Sequence, residues 1–337
     1  METQGIADSS SNRRWFVKGL TALGASVLLP SNQAVGQQPA SRRILLAHGL
    51  LGFSNFANVR YFDGVAECFP GATFITPQVE PAGLIRDRAA QLEKAITDAI
   101  PAAELSKGRA VHIVAHSMGG LDARYLISQL GRANWIASLT TISTPHRGSP
   151  LADIITGARL LSLSECVNLA RALGPDTITN ILAALGQNAP PGVPLNLFAP
   201  AAIIEALPNL KTYLAQLFGV KPQAFSELTT ASATQFNKLY PSLEGVPLAC
   251  YSGVSSPSQT MCRALFASWA ILNSIAKDND GAVPLSSSRW PETSEIVPAD
   301  HFEEVGLARY FDLPLSPNHY DIRKLYSQID AWQKSLA

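Results

Sequence analysis

The segment "VHIVAHSMGG", residues 111–120, closes a run of β-branched and apolar residues with Ser117, Met118 and two glycines. A serine hydroxyl is a weak nucleophile at neutral pH. To attack a carbonyl it needs a base within hydrogen-bond reach and a third group that orients the base. A nucleophile on a strained turn between strand and helix also needs small residues two places before and after it, and here these are Ala115 and Gly119. The plainer alternative is that Ser117 only caps a helix, because serine is a favoured N-cap. A tetrahedral intermediate would further require two backbone N–H donors. The helix after Ser117 offers that of Met118. The loop "AHGLLGF" offers that of Leu50, since Gly49 and Gly52 let it fold tightly after an earlier strand.

Six histidines restrict the choice of base. His48 and His116 belong to the two turns, His112 lies within a strand pattern, and His146 precedes Arg147 in a loop. His301 in "PADHFEEVGL" and His319 in "SPNHYDIRKLY" remain, and His319 reads as a cap of the last helix. His301 is therefore the favoured base. Asp280 in "KDNDGAVP" precedes a glycine and is favoured as its orienting carboxylate over Asp278 and Asp300. The order Ser117, Asp280, His301 is the one expected when the nucleophile sits on a strand–turn–helix elbow.

These residues need a scaffold, and the chain spells one. "RRILLAHG", "ATFITP", "AVHIVAHS" and "WIASLTTIS" read as strands, while "LIRDRAAQLEKAITDAI" and "GLDARYLISQLG" have helical periodicity. Strands alternating with helices predict an α/β fold, a mainly parallel sheet with helices on both faces. From about residue 151 to 225 the alternation stops, and Leu-, Ile- and Ala-rich helices are broken by "NAPPGVP". That block reads as a helical lid or cap inserted into the α/β domain of residues 37–337.

Bulk properties narrow the function further. Hydrophobic residues make up 47% and charged residues 15%, so apolar surface is expected to be available for use. Lys and Arg number 26 and Asp and Glu 26; with no basic field, nucleic acid is excluded as a partner. Residues 1–36 contain Arg13 and Arg14 before an uncharged apolar run and end in the small-x-small site Ala34, Val35, Gly36. They resemble a twin-arginine signal peptide, which implies passage through the export machinery to the periplasm or beyond. No later apolar run is long enough for a membrane span. Cys250 and Cys262 flank "YSGVSSPSQTM" and could close a short disulfide loop, although four cysteines allow three full pairings.

Taken in order, "AHGLLGF", "VHIVAHSMGG", "ISTPHRGSPLAD", "ATQFNKLYP", "YSGVSSP", "NDGAVP" and "DHFEEVG" resemble the secreted triacylglycerol lipases of the Pseudomonas and Burkholderia type, within the α/β-hydrolase superfamily. The resemblance implies Ser117 as nucleophile, His301 as base and then acid, Asp280 as its partner, and Leu50 and Met118 as oxyanion donors. It implies a lipid or other apolar ester as substrate, at an interface, and leaves the need for a foldase open. No cofactor is required for such chemistry. The family carries a structural calcium on two aspartates. Here Glu303 occupies one of those places, and no aspartate lies between Asp176 and Asp278 to supply the other. Ala115 replaces the family's usual glycine, as in Bacillus lipases and some extracellular polyhydroxybutyrate depolymerases. A polyhydroxyalkanoate depolymerase or a short-chain carboxylesterase is therefore the alternative within the reaction class. A non-catalytic lipid- or lipase-binding protein on a hydrolase fold is the alternative outside it.

Overall fold

A computed structural model describes residues 42–50, 55–56, 59–162, 164–165, 168, 222–241, 243, 245–256, 261–262, 265–291, 294–308 and 319–336. The chain divides at residue 40 into two units. The expected signal peptide and most of the expected insert lie outside the described residues.

Six strands form one sheet: β1 (Arg43–Ala47), β2 (Thr73–Ile75), β3 (Val111–His116), β4 (Ile136–Ile142), β5 (Leu248–Gly253) and β6 (Glu295–Val297). Their spatial order is β2-β1-β3-β4-β5-β6, and every neighbouring pair is parallel. The helices that position the site are α1 (Ile85–Ala99), α2 (Gly119–Ser128), α3 (Pro150–Thr156), α4 (Thr230–Leu239), α5 (Phe266–Ala276) and α6 (Ile322–Ser335).

The four inner strands bury both faces, and their two-residue period separates two cores. Leu45 and Ala47 of β1 join Ile113 and Ala115 of β3 beneath Ala89, Leu92 and Ile96 of α1 and Leu126 of α2. Ile44 and Leu46 face the other way, toward Phe69 and toward Leu325, Tyr326 and Ile329 of α6. A covered parallel sheet is what the sequence predicts. The chain runs from β1 outward to β2 and then returns past β1 to β3. Strand order thus reverses between β1 and β3, and in open parallel sheets ligands bind beyond the carboxyl ends of the strands at such a point.

Residues flanking the expected insert are held together. The Asp153 carboxylate of α3 accepts from the Thr230 N–H at 2.9 Å and from its hydroxyl at 2.8 Å, and the Ser149 N–H donates to the Leu228 carbonyl at 2.8 Å.

Two expectations are corrected here. Cys250 and Cys262 are both buried and are not joined to each other. Cys250 stands on strand β5, where its thiol donates to the Ser288 carbonyl at 3.1 Å, and Cys262 packs beside Asp300, to which its N–H donates. Nor does His319 cap the last helix. Asp321 does so, its carboxylate accepting from the Arg323 N–H at 3.1 Å, as an acceptor at the N-cap must and an exposed imidazole need not.

Candidate active site

β1 and β3 end side by side, with Ala47 opposite Ala115, so the turns that follow them meet. Ser117 follows β3 at φ 55°, a left-handed conformation that is uncommon for a side chain with a Cβ. Its N–H is held by the Ile142 carbonyl of β4 at 2.9 Å. Ser117 is not the helix cap: α2 begins at Gly119 with Met118 as N-cap and no side-chain capping bond. The small residue after the serine has a steric reason. A Cβ on Gly119 would lie 2.4 Å from the Ala47 carbonyl oxygen, so α2 could not start this close to the end of β1 with any larger residue. Gly49 is equally constrained, because a Cβ there would lie 2.6 Å from that of Ser117. The loop of Gly49 and Leu50 therefore passes directly over the serine.

The other two predicted residues also meet. His301 Nδ1 lies 2.8 Å from Asp280 Oδ2, and the His301 N–H donates to the Asp280 carbonyl at 2.9 Å. The remaining Asp280 oxygen accepts from the Ala282 and Val283 N–H groups at 2.8 and 2.7 Å. With the carboxylate buried and so bound, Nδ1 carries the hydrogen and the lone pair stands on Nε2, the form a base needs. The His301 ring packs on that of His116, the residue before Ser117, with centroids 4.3 Å apart. Of the alternatives for the carboxylate, Asp300 accepts from the N–H groups of Cys262, Phe302 and Glu303 and braces the turn instead. Burial raises its carboxyl to about 6.

Several buried groups escape a reading of the sequence alone. Arg88 of α1 has no exposed surface. It donates to Asp122 at 2.8 Å, to the Glu80 carbonyl at 2.7 Å, and to the carbonyls of His48 and Gly49 at 2.7 and 3.3 Å. In a trans peptide the C=O and N–H point in opposite directions. Arg88 holds the Gly49 carbonyl on its own side and so turns the Leu50 N–H away from α1. The available signal was a charged residue on the apolar stripe of Ile85, Ala89, Leu92 and Ile96. His48 is buried with Nδ1 3.0 Å from the Gly49 carbonyl, and its Nε2 accepts from the Val79 N–H at 3.3 Å. Burial, and then Arg88, lower it to about 4, so it serves as a neutral brace of the loop.

Glu304, also fully buried, approaches from behind. Its carboxylate meets His116 Nε2 at 3.0 Å and the Ser143 hydroxyl at 2.6 Å, and lies 4.0 Å from His301 Nδ1. Burial, with Asp280 nearby, raises its carboxyl well above the usual range.

Both acidic positions are engaged by protein partners. Glu303, the residue singled out for calcium, accepts from the N–H groups of Asp300 and Tyr320 at 3.3 and 3.2 Å, and its oxygens thus face donors. Among the described residues, His116, His301 and Glu304 are the group close enough to share a cation. Both nitrogens of His116, Nδ1 of His301 and both oxygens of Glu304 already have partners.

Residues 82–170 match the family model of the PGAP1-like alpha/beta domain. The chain is similar to triacylglycerol lipase 2 of Saccharomyces cerevisiae, 29% identical over 75% of this chain and 64% of that protein. It is 29% identical to the triacylglycerol lipase of Vibrio cholerae over 62% of this chain and 57% of that one. Against the triacylglycerol lipase of Burkholderia plantarii it is 26% identical, over 76% and 65%. The matched region spans less than two thirds of each of these relatives. Among solved structures, the mature Bacillus licheniformis lipase BlEst2 superposes with a TM-score of 0.52 at 20% identity, covering 80% of this chain and 89% of that one. The Staphylococcus hyicus lipase does so with a TM-score of 0.54 at 15% identity, covering 92% and 98%. The covered parallel sheet with the serine elbow at its strand reversal is an α/β-hydrolase fold, and the chain is similar over most of its length to proteins named triacylglycerol lipase.

Proposed function

We propose that the protein is a carboxylic ester hydrolase, and specifically a triacylglycerol lipase, acting through Ser117, His301 and Asp280. The observation that carries this reading is the Asp280–His301 hydrogen bond, which orients an imidazole packed on His116, the residue before a serine held at positive φ. His301 Nε2 takes the Ser117 proton as Oγ attacks the ester carbonyl. The charge that develops on the carbonyl oxygen is received by the N–H groups of Leu50 and Met118. The alcohol then leaves with the proton from His301, forming an acyl-enzyme. Water attacks next, His301 acting again as base, and releases the fatty acid. The names of the curated relatives support a glycerol ester as substrate. The paired arginines at positions 13 and 14 support export by the twin-arginine route. No helix among the described residues is long and apolar enough to cross a membrane.

The test is hydrolysis of nitrophenyl butyrate and of emulsified triolein by the mature chain beside Ser117→Ala. Cleavage of both esters by the wild type, with loss of several orders of magnitude in the variant, is expected. A Ser117→Ala protein as active as wild type overturns the site. Cleavage of the short ester alone would move the assignment to a carboxylesterase or polyester depolymerase.

A further inference from the structure

A chain of buried hydrogen bonds joins the loop above Ser117 to the histidine pair behind it. The Gly49 N–H lies 3.2 Å from the Tyr61 oxygen, which lies 2.8 Å from His116 Nδ1. His116 Nε2 lies 3.0 Å from Glu304, whose other oxygen meets the Ser143 hydroxyl at 2.6 Å. Ser143 Oγ in turn accepts from the Gly253 N–H at 2.9 Å. A backbone N–H can only donate, so the Tyr61 oxygen accepts from Gly49. The two His116 nitrogens then link Tyr61 to Glu304, one donating and the other accepting in the neutral ring. Tyr61, His116, Ser143 and Glu304 are all buried, so water does not substitute for these partners at low cost.

The proposed catalysis uses none of these four side chains. They nevertheless touch both of its halves. Tyr61 grips the peptide next to the Leu50 donor, and the His116 ring, held between Tyr61 and Glu304, is the surface on which the His301 ring packs.

We propose that Tyr61 and His116 are positioning residues that hold the oxyanion loop and the base histidine as one unit, so that the Leu50 N–H and His301 Nε2 keep a fixed spacing around Ser117. The proposal rests on the active-site reading given above. Tyr61 acts on the loop, and His116 transmits that constraint to His301. Neither contacts the reacting atoms.

Tyr61→Phe keeps the ring and removes only the oxygen, leaving the Gly49 N–H without its acceptor and His116 Nδ1 without its partner. The purified variant is compared with wild type in kcat and KM on nitrophenyl butyrate, in Tm, and in Ki for an alkyl boronic acid. Such an acid forms a tetrahedral anionic adduct on the serine and so reports on the oxyanion donors. Expected are a kcat lower by about 10-fold or more, as befits one misaligned donor where complete removal costs about 10²–10³, and a KM within about threefold of wild type. The boronate Ki should rise by the same factor as kcat/KM falls. A kcat and a boronate Ki equal to wild type overturn the proposal, and so does a loss of rate carried by KM with an unchanged boronate Ki. The second variant, His116→Asn, keeps a hydrogen-bonding group facing Tyr61 and gives up the bond to Glu304. Boronate binding weakened less than by Tyr61→Phe supports the assignment of the loop to Tyr61; binding weakened more overturns it. Ser117→Ala separates the two levels. If it retains activity, the active-site reading fails. If it is inactive while Tyr61→Phe matches wild type, only this inference does.

Discussion

Arg88→Met is the substitution in which stability and catalysis can be pulled apart. In the folded protein the guanidinium and the Asp122 carboxylate have no exposed surface and meet at 2.8 Å, and the same guanidinium holds the carbonyls of Glu80, His48 and Gly49. Removing one member of a buried ion pair costs about 3–5 kcal/mol, because the other is left unpaired. In a domain of this size each kcal/mol lowers Tm by about 2–4 °C, so a fall of about 6–20 °C is expected. Asp122 softens the cost. Burial already raises its carboxyl to about 6 against the pull of Arg88, and without Arg88 it takes up a proton at neutral pH more readily. Replacing both partners with apolar residues, Arg88→Met with Asp122→Leu, should return most of the lost stability, since no unpaired charge remains. It should not return activity. The His48 carbonyl stays untethered and the Gly49 carbonyl keeps only His48 Nδ1, so the Leu50 N–H is less firmly oriented and kcat on nitrophenyl butyrate should remain about 10–100-fold low. Thermal melts and initial rates on wild type, single and double variants decide the matter. A double variant that regains rate in step with Tm would refute the reasoning, and Arg88 would then be only a structural ion pair.

Three further outcomes follow from the same geometry. Asp280→Asn should lower kcat by about 10⁴ with little change in KM, since the imidazole would lose the tautomer its lone pair requires; a loss under tenfold would remove Asp280 from the triad. Gly49→Ala places a methyl 2.6 Å from Ser117 Cβ and 2.9 Å from the Tyr61 oxygen, so the loop or the elbow must shift. Rate should fall by at least tenfold while Tm drops by only a few degrees, and full activity would mean that the loop is not held over the serine. The last concerns pH. Burial, and then Arg42, lower His112 to about 4, which makes its contribution to stability complete above 6.5 and lost as pH falls toward 4. Asp122 and Asp300, raised to about 6, act in the opposite sense and lose their contribution as pH rises through that value. His112→Gln, which preserves a partner for Ser138, should thus gain on wild type by on the order of 1–2 kcal/mol between pH 6.5 and 4, after allowance for the partial exposure of His112. Urea midpoints that stay parallel for the two proteins across this range would contradict the assignment.

The sequence by itself determined the sheet, its two-sided burial and the elbow. These rest on local signals: apolar runs in Ile44–Ala47 and Val111–His116, a helical period in α1, and small residues around Ser117. The pairing of Asp280 with His301 was also legible, because chain order and the short supply of histidines left few alternatives. Tertiary structure decided whatever depends on which distant groups share a buried space. Cys250 and Cys262 are twelve residues apart and yet not joined to each other, since one is fixed in a strand and the other packs against Asp300. Arg88, Tyr61, His116 and Glu304 looked like ordinary surface or turn residues until the fold removed them from water. A polar group so enclosed must find its partner inside the protein. The partners within reach are carbonyls of the oxyanion loop for Arg88, the Gly49 N–H and His116 for Tyr61, and Ser143 for Glu304. No local pattern encodes those distances, since they are set by the strand order β2-β1-β3-β4-β5-β6, which brings residues 49, 61, 88, 117 and 304 to one end of one sheet.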